Sequence, residues 1–199
     1  HADGSGVLFL AGVSGSGKTH LLQAACRAVE ADGAHAAYLP FAELVAHSPD
    51  VLEGLEHYRL LACDDLQAIA GRPAWEEAVF HLYNRLREAG GLLIGAANEV
   101  PDRLGLNLPD LRSRLAWGAV YALQPPDDAA RQAILTQHAR ERGLELPAET
   151  AQYLLRRCPR DLHALVGLLE RLDHAALRAQ RRLTVPFVRS VLDGATEPE

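Results

Sequence analysis

The chain has no methionine, only three cysteines and few aromatic residues among its 199 positions. Each shortage excludes something. Cys26, Cys63 and Cys158 are odd in number and share no metal-ligand spacing, which argues against a disulfide framework and a zinc module. Cys26 falls in a helical pattern and Cys63 ends an apolar run, so both read as core thiols, consistent with a reducing cytoplasm. The nine histidines are scattered, with no HExxH pair, so no metal is expected beyond the Mg²⁺ that phosphate chemistry would bring. No apolar run reaches the ~18 residues of a membrane span. Basic residues are not in excess: 20 Lys and Arg face 26 Asp and Glu, a net charge of −6. That balance argues against autonomous duplex DNA binding, while leaving room for a local basic strip. Without an initiator methionine, residues 1–6 lead almost directly into a strand, and a segment upstream of them is expected.

What is present is concentrated near the start. Gly12-Val13-Ser14-Gly15-Ser16-Gly17-Lys18-Thr19 fits the phosphate-binding pattern G-x-x-x-x-G-K-[ST] at every fixed position. Upstream, 7–11 is a short apolar run ended by glycine, as a buried strand should be. Downstream, Leu21, Leu22, Ala25 and Val29 recur at helical spacing, and Gly33 is placed to stop that helix. Strand, glycine-rich loop and helix in this order create a nest of backbone N–H groups that faces an anion. Lys18 would reach the β- and γ-phosphates of a nucleotide, and the Thr19 hydroxyl would ligate Mg²⁺. His20 follows at the same helix start and belongs to the candidate nucleotide-binding set with Gly12, Ser14, Gly15, Ser16 and Gly17.

Four more strands are expected at 34–39, 58–63, 92–97 and 119–123. Helices are expected near 40–43, from Pro73 to Glu88 with proline in the first turn, and at 108–115. Nearly all-apolar strands alternating with helices indicate an α/β domain, a parallel five-stranded sheet with helices on both faces. Pro125-Pro126 marks the one obvious boundary. After it the sequence reads as helix at 127–142, 147–157, 160–182 and 186–192, with Asp127 as an N-cap. The expected division is therefore a nucleotide-binding domain over 1–124, a small all-α domain over 125–193 that packs on it, and a disordered acidic tail over 194–199.

Asp64-Asp65 closes an apolar strand. The first carboxylate can hold Mg²⁺ and the second can orient an attacking water; alternatively, aspartates simply mark a strand end. Asn98 closes the next strand. Its amide could hydrogen-bond the γ-phosphate or the attacking water, or cap the following turn.

Together these motifs, the segment Leu111-Arg112-Ser113-Arg114-Leu115-Ala116-Trp117-Gly118, and a helical region carrying Arg160 resemble the AAA+ ATPases of the DnaA family. The resemblance covers essentially the whole chain. Within the family it is closest to the Hda-type paralogues, through three segments: Trp75-Glu76 with Leu82-Tyr83-Asn84-Arg85; Leu108-Pro109-Asp110-Leu111 running into Ser113-Arg114-Leu115 and Trp117-Gly118; and Leu183-Thr184-Val185-Pro186-Phe187-Val188. The resemblance implies a P-loop AAA+ sheet domain with an all-α lid, binding ADP or ATP with Mg²⁺. It implies that Asn98 is sensor I, that Arg160 is the sensor II arginine, and that Arg114 is the arginine finger. In this family that finger acts on nucleotide bound to a neighbouring subunit.

The functional expectation that follows is a cytoplasmic regulator of replication initiation. It would stimulate hydrolysis of ATP held by the DnaA initiator on the sliding clamp, and so inhibit re-initiation. The clamp contact would lie in the upstream segment, because nothing before Val7 resembles it. Where DnaA continues into a helix-turn-helix domain, this sequence ends in the acidic stretch 193–199. Two other readings stay open: a self-assembling AAA+ ATPase of the helicase-loader type, forming a dimer or larger oligomer through the AAA+ interface, and the ATPase region of DnaA itself. Arg171, Arg178, Arg181 and Arg182 make the late helical region basic. They could face a partner or nucleic acid, or simply complement a helix C-terminus.

Overall fold

The apolar run Val7–Ala11 forms β1, and the helix after the glycine-rich loop is α1, Lys18–Ala31. The computed structural model describes residues 6–157 and 162–194. β2 follows at Ala36–Pro40, the short α2 at Phe41–Leu44, and β3 at Leu60–Asp64. Then come α3 (Pro73–Glu88), β4 (Leu92–Ala97), α4 (Pro109–Trp117) and β5 (Ala119–Ala122). The remainder is helical: α5 (Asp128–Glu141), α6 (Ala148–Arg157), α7 (Leu162–Ala179) and α8 (Val185–Asp193). The chain divides into two compact units between Pro125 and Pro126.

The strands of the first unit lie side by side in the order β2-β3-β4-β1-β5, and every pairing is parallel. A parallel sheet needs helical crossovers, and these place apolar helices on its faces. Alternate residues of β1 to β4 therefore enter different cores. Phe9, Leu61 and Cys63 pack with Leu82, Leu111 and Leu115 from α3 and α4. Leu10, Leu60, Ala62 and Ala96 pack with Leu22 and Cys26 of α1. The carboxyl ends of β1, β3 and β4 line up along one edge of the sheet, and the glycine-rich loop, Asp64-Asp65 and Asn98 all lie there. Ligand crevices of open α/β sheets form at such an edge.

Three sequence expectations need correction. β3 was expected to stop at Cys63 but includes Asp64, which pairs with Pro40 of β2; the carboxylate is thus 1% exposed inside the ladder rather than in a turn. All four residues of β5 are exposed. It is an edge strand hydrogen-bonded to β1 alone, so the two-sided cover of the sheet does not reach it. The helix expected over 160–182 is described from Leu162 and ends at Ala179. Gln180 adopts a left-handed conformation at φ 51°. Its N–H bonds the Leu177 carbonyl at 3.3 Å and that of Arg181 bonds Ala176 at 3.1 Å. This paired closure terminates a helix, and with glutamine in place of glycine no local signal announces it. Arg181 and Arg182 lie beyond the helix end.

Within the second unit, Asp127 caps α5, its Oδ1 accepting from the Ala130 N–H at 2.7 Å. Leu135, Leu154, Leu169, Leu172 and Val188 form its core. Thr150, buried there, donates to the Leu183 carbonyl at 2.9 Å. Among the described residues no helix is long and apolar enough to cross a membrane.

One carboxylate positions the helix that carries Arg114. Glu76, 1% exposed, accepts the Gly71 N–H at 2.9 Å and the Leu108 N–H at 2.7 Å. It therefore ties the turn before α3 to the residue that starts α4. Glu76→Ala would remove the acceptor of two partly buried backbone donors, at about 0.5–1.5 kcal/mol each. Urea unfolding of the variant is expected to show a loss of roughly that size; a change below about 0.5 kcal/mol would mean that water replaces the carboxylate.

Candidate phosphate-binding site

The loop between β1 and α1 is shaped by its glycines. Gly15 and Gly17 sit at φ 78° and 91°, a region that other residues enter at a cost. Gly17 turns the chain into α1, leaving the first N–H groups of the helix facing the loop. Gly12 is required for space: a Cβ there would stand 2.6 Å from the Leu123 carbonyl oxygen and 2.6 Å from Ser16 Oγ.

Two groups, one without a counter-charge and one without a partner, point to what the loop holds. Lys18 is only 8% exposed, and its Nζ donates to the carbonyls of Gly12 at 2.6 Å and Val13 at 3.0 Å. No carboxylate pairs with it among the described residues. A nearly buried ammonium supported by neutral oxygens alone leaves uncompensated positive charge in the loop. Ser16 Oγ is buried with no hydrogen-bond partner. A cation, an orphaned hydroxyl and a helix N-terminus on one loop form an anion cradle. Ser14 is exposed and Gly15 half-buried along the same loop, and His20 is exposed one position after Thr19.

Across the loop lies Asp64. Its Oδ2 accepts from Thr19 Oγ1 at 2.6 Å and from the Tyr38 hydroxyl at 2.8 Å, while Oδ1 accepts the Asp65 N–H at 2.9 Å. Thr19 Oγ1 and Asp64 Oδ2 are hard oxygens held together, the donor type that Mg²⁺ takes alongside phosphate oxygens. Burial, followed by the bond to Asp64, raises the Tyr38 phenol well above its ordinary pKa. Cys63, fully buried beside the site, is pushed up to about 12, chiefly by desolvation and then by the Asp64 charge. Burial and that charge keep it a thiol.

Asp65 is half-buried and sits at φ 54°, left-handed for a residue with a side chain. Its Oδ1 accepts from Gln67 Nε2 at 2.7 Å, and Gln67 Oε1 accepts the Asn98 N–H at 3.2 Å. One amide thus links the end of β3 to the end of β4. The next turn, Pro101–Arg103, is capped by Val100 without a side-chain bond, so the alternative in which Asn98 caps it is not what the structure contains. Neither Tyr38 nor Gln67 was singled out from sequence. Tyr38 had a weak signal, a hydroxyl on the strand beside Asp64; Gln67 had none, because only the turn of residues 66–69 brings its amide between the two strand ends.

Arg114 lies near the end of α4, half-buried, with its guanidinium carbon 5.0 Å from the centroid of the Trp117 ring. Arg87, from the end of α3, is 5.1 Å from the same centroid. Trp117 is 55% exposed. Arg160 lies outside the described residues, as does Cys158.

A model of the bacterial DnaA ATPase domain matches residues 3–122, and a model of the Hda lid domain matches residues 128–192. Among solved structures, domain III of the Thermotoga maritima replication initiation protein DnaA superposes with a TM-score of 0.78 at 23% identity, covering 96% of this chain and 85% of that one. AMPPCP-bound DnaA from Aquifex aeolicus gives 0.68 at 26% identity, over 86% of this chain and 56% of that one. The RuvB Holliday junction branch migration motor of Thermotoga maritima gives 0.68 at 18% identity, a likeness of fold, over 94% of this chain and 61% of that one. This chain therefore spans little more than half the length of the AMPPCP-bound DnaA.

Gly12→Ala tests the loop's close packing. The clash is partly with backbone at Leu123, so relief requires main-chain movement. Thermal or urea unfolding is expected to show a loss of about 1–3 kcal/mol; a stability equal to that of the parent would mean that the loop has room for a methyl group.

Proposed function

The chain belongs to the bacterial DnaA family of AAA+ ATPases and carries an Hda-type lid, and from that premise we propose that it regulates the DnaA initiator. It binds ADP or ATP at the Gly12–Thr19 loop and stimulates hydrolysis of ATP held by DnaA on the sliding clamp, so that re-initiation is inhibited. AMPPCP in a DnaA relative supports the choice of adenine nucleotide. The observation that carries the regulatory reading is Arg114. Among the described residues its guanidinium makes no ion pair and no hydrogen bond, only a ring contact, and its donors are free for a neighbour's phosphate.

In its own site, Lys18 and the loop N–H groups grip the phosphates, while Thr19 and Asp64 hold Mg²⁺, which neutralises phosphate charge when bound. Asp65 orients water, with Gln67 fixing its distance from Asn98. Asn98 reads the γ-phosphate, and Arg160 is the arginine of the lid. Arg114 supplies positive charge to the nucleotide of the neighbour. Such an arginine can be worth about 10³–10⁵ in rate, which makes hydrolysis conditional on assembly.

The intact pair of Thr19 and Asp64 supports a second reading, a self-assembling ATPase. Rates with DnaA·ATP on clamp-loaded DNA separate the two. The regulator adds little turnover of its own, and Arg114→Ala abolishes its stimulation of DnaA while leaving its own nucleotide affinity intact. Lys18→Ala is expected to weaken that affinity at least tenfold, or about 1.4 kcal/mol. Fast hydrolysis by the protein alone, lost in Arg114→Ala, would replace the regulator with the self-assembling enzyme.

A further inference from the structure

Arg87 and Arg114 come from different helices and converge on one exposed indole. Each has a carboxylate close by in sequence. Asp110 stands four residues before Arg114 on α4, the favourable order for an ion pair along a helix. Glu88 adjoins Arg87. Yet among the described residues neither arginine forms an ion pair or a side-chain hydrogen bond, and both lie over the Trp117 ring instead. The end of α3 could have been neutralised: Arg85 pairs with Glu56 at 3.2 Å. The positive charge left on Arg87 is thus local to the indole.

A ring contact differs from an ion pair in what it leaves free. Stacking engages the π face of a guanidinium and none of its five N–H donors. A carboxylate would consume two donors and cancel the charge. The ring therefore holds each arginine while its planar donor edge remains available for an oxyanion. Two like charges gathered this way repel one another. The carboxyl ends of α3 and α4, where both sit, offset part of that repulsion, and an arriving anion would offset the rest.

We propose that Trp117, Arg87 and Arg114 form a single anion site for the phosphate chain of the nucleotide bound to the neighbouring protein. Arg87 is a second phosphate-facing residue and Trp117 the positioning residue that seats both. This rests on the reading of Arg114 as a residue that acts in trans. Trp117 acts through its π face rather than its bulk.

The experiment is hydrolysis of DnaA-bound ATP on clamp-loaded DNA, titrated with the full protein to separate maximal rate from half-saturating concentration. Trp117→Leu keeps apolar volume but removes the π face, and Trp117→Phe keeps a face. The leucine variant is expected to lower the maximal rate about three- to tenfold, with the phenylalanine variant retaining most of it. Arg87→Ala is expected to lower the maximal rate by a similar factor, and Arg87→Lys to restore only part of it, because lysine lacks the planar fork. Trp117 and Arg87 are both exposed, and unchanged affinity for the protein's own nucleotide reports that each variant is folded. Equal rates for the leucine and phenylalanine variants would overturn the role of the ring. A parental rate for Arg87→Ala would overturn the two-arginine site. A parental rate for Arg114→Ala would instead remove the trans reading itself.

Discussion

The carboxylate of Asp64 is the constraint around which the first unit is organised. It is buried at the end of a central strand, where an ionised group must be hydrogen-bonded or be costly. Three donors meet that requirement, each from a different part of the chain: Thr19 at the start of α1, Tyr38 on β2 and the backbone of Asp65. The same bonds that make the carboxylate tolerable fix the glycine-rich loop against β3. Stability and site geometry are therefore one problem with one solution. The Thr19 hydroxyl that satisfies Asp64 also fixes the first turn of α1 beside the carboxylate.

Charge is distributed in the opposite sense at the glycine-rich loop and at the ends of α3 and α4. Lys18 is nearly buried against carbonyls, Ser16 Oγ has no partner, and Arg114 and Arg87 rest on an indole. None of these groups is neutralised by a carboxylate among the described residues. An acidic protein with a net charge of −6 has ample carboxylates for ion pairs, yet Lys18 is nearly buried without one and two arginines share one ring instead. The family's ATPase domain supplies the loop that holds Lys18, and the cations over the indole lie at the ends of two of its helices.

The sequence was most legible where covalent geometry or chain direction does the work. The phosphate-binding loop could be read outright because glycines, lysine and threonine must stand at fixed spacing. The strands, helices and the boundary at Pro125 and Pro126 followed from periodicity and from proline's missing donor. Harder to read were features created by residues distant in sequence. Gln67 joins Asp65 to Asn98, Tyr38 reaches Asp64 from the neighbouring strand, and Glu76 links two helix starts. The ending of α7 at Gln180 was hidden for a different reason: its left-handed turn uses a residue with no special preference for it.

The sequence by itself determined the order of elements, the anion-binding loop and the candidate residues at each strand end, because local sterics and 2- and 3.6-residue periodicities act along the chain. Only the tertiary structure decided the partners of those residues. That Asp64 lies within the ladder, that one amide bridges β3 and β4, and that Arg87 shares the indole with Arg114 all depend on parallel strand order and on where two helix ends meet. Hydrogen bonds and ring contacts reach only a few ångströms, and no local rule of the chain specifies which distant residues will come within that range.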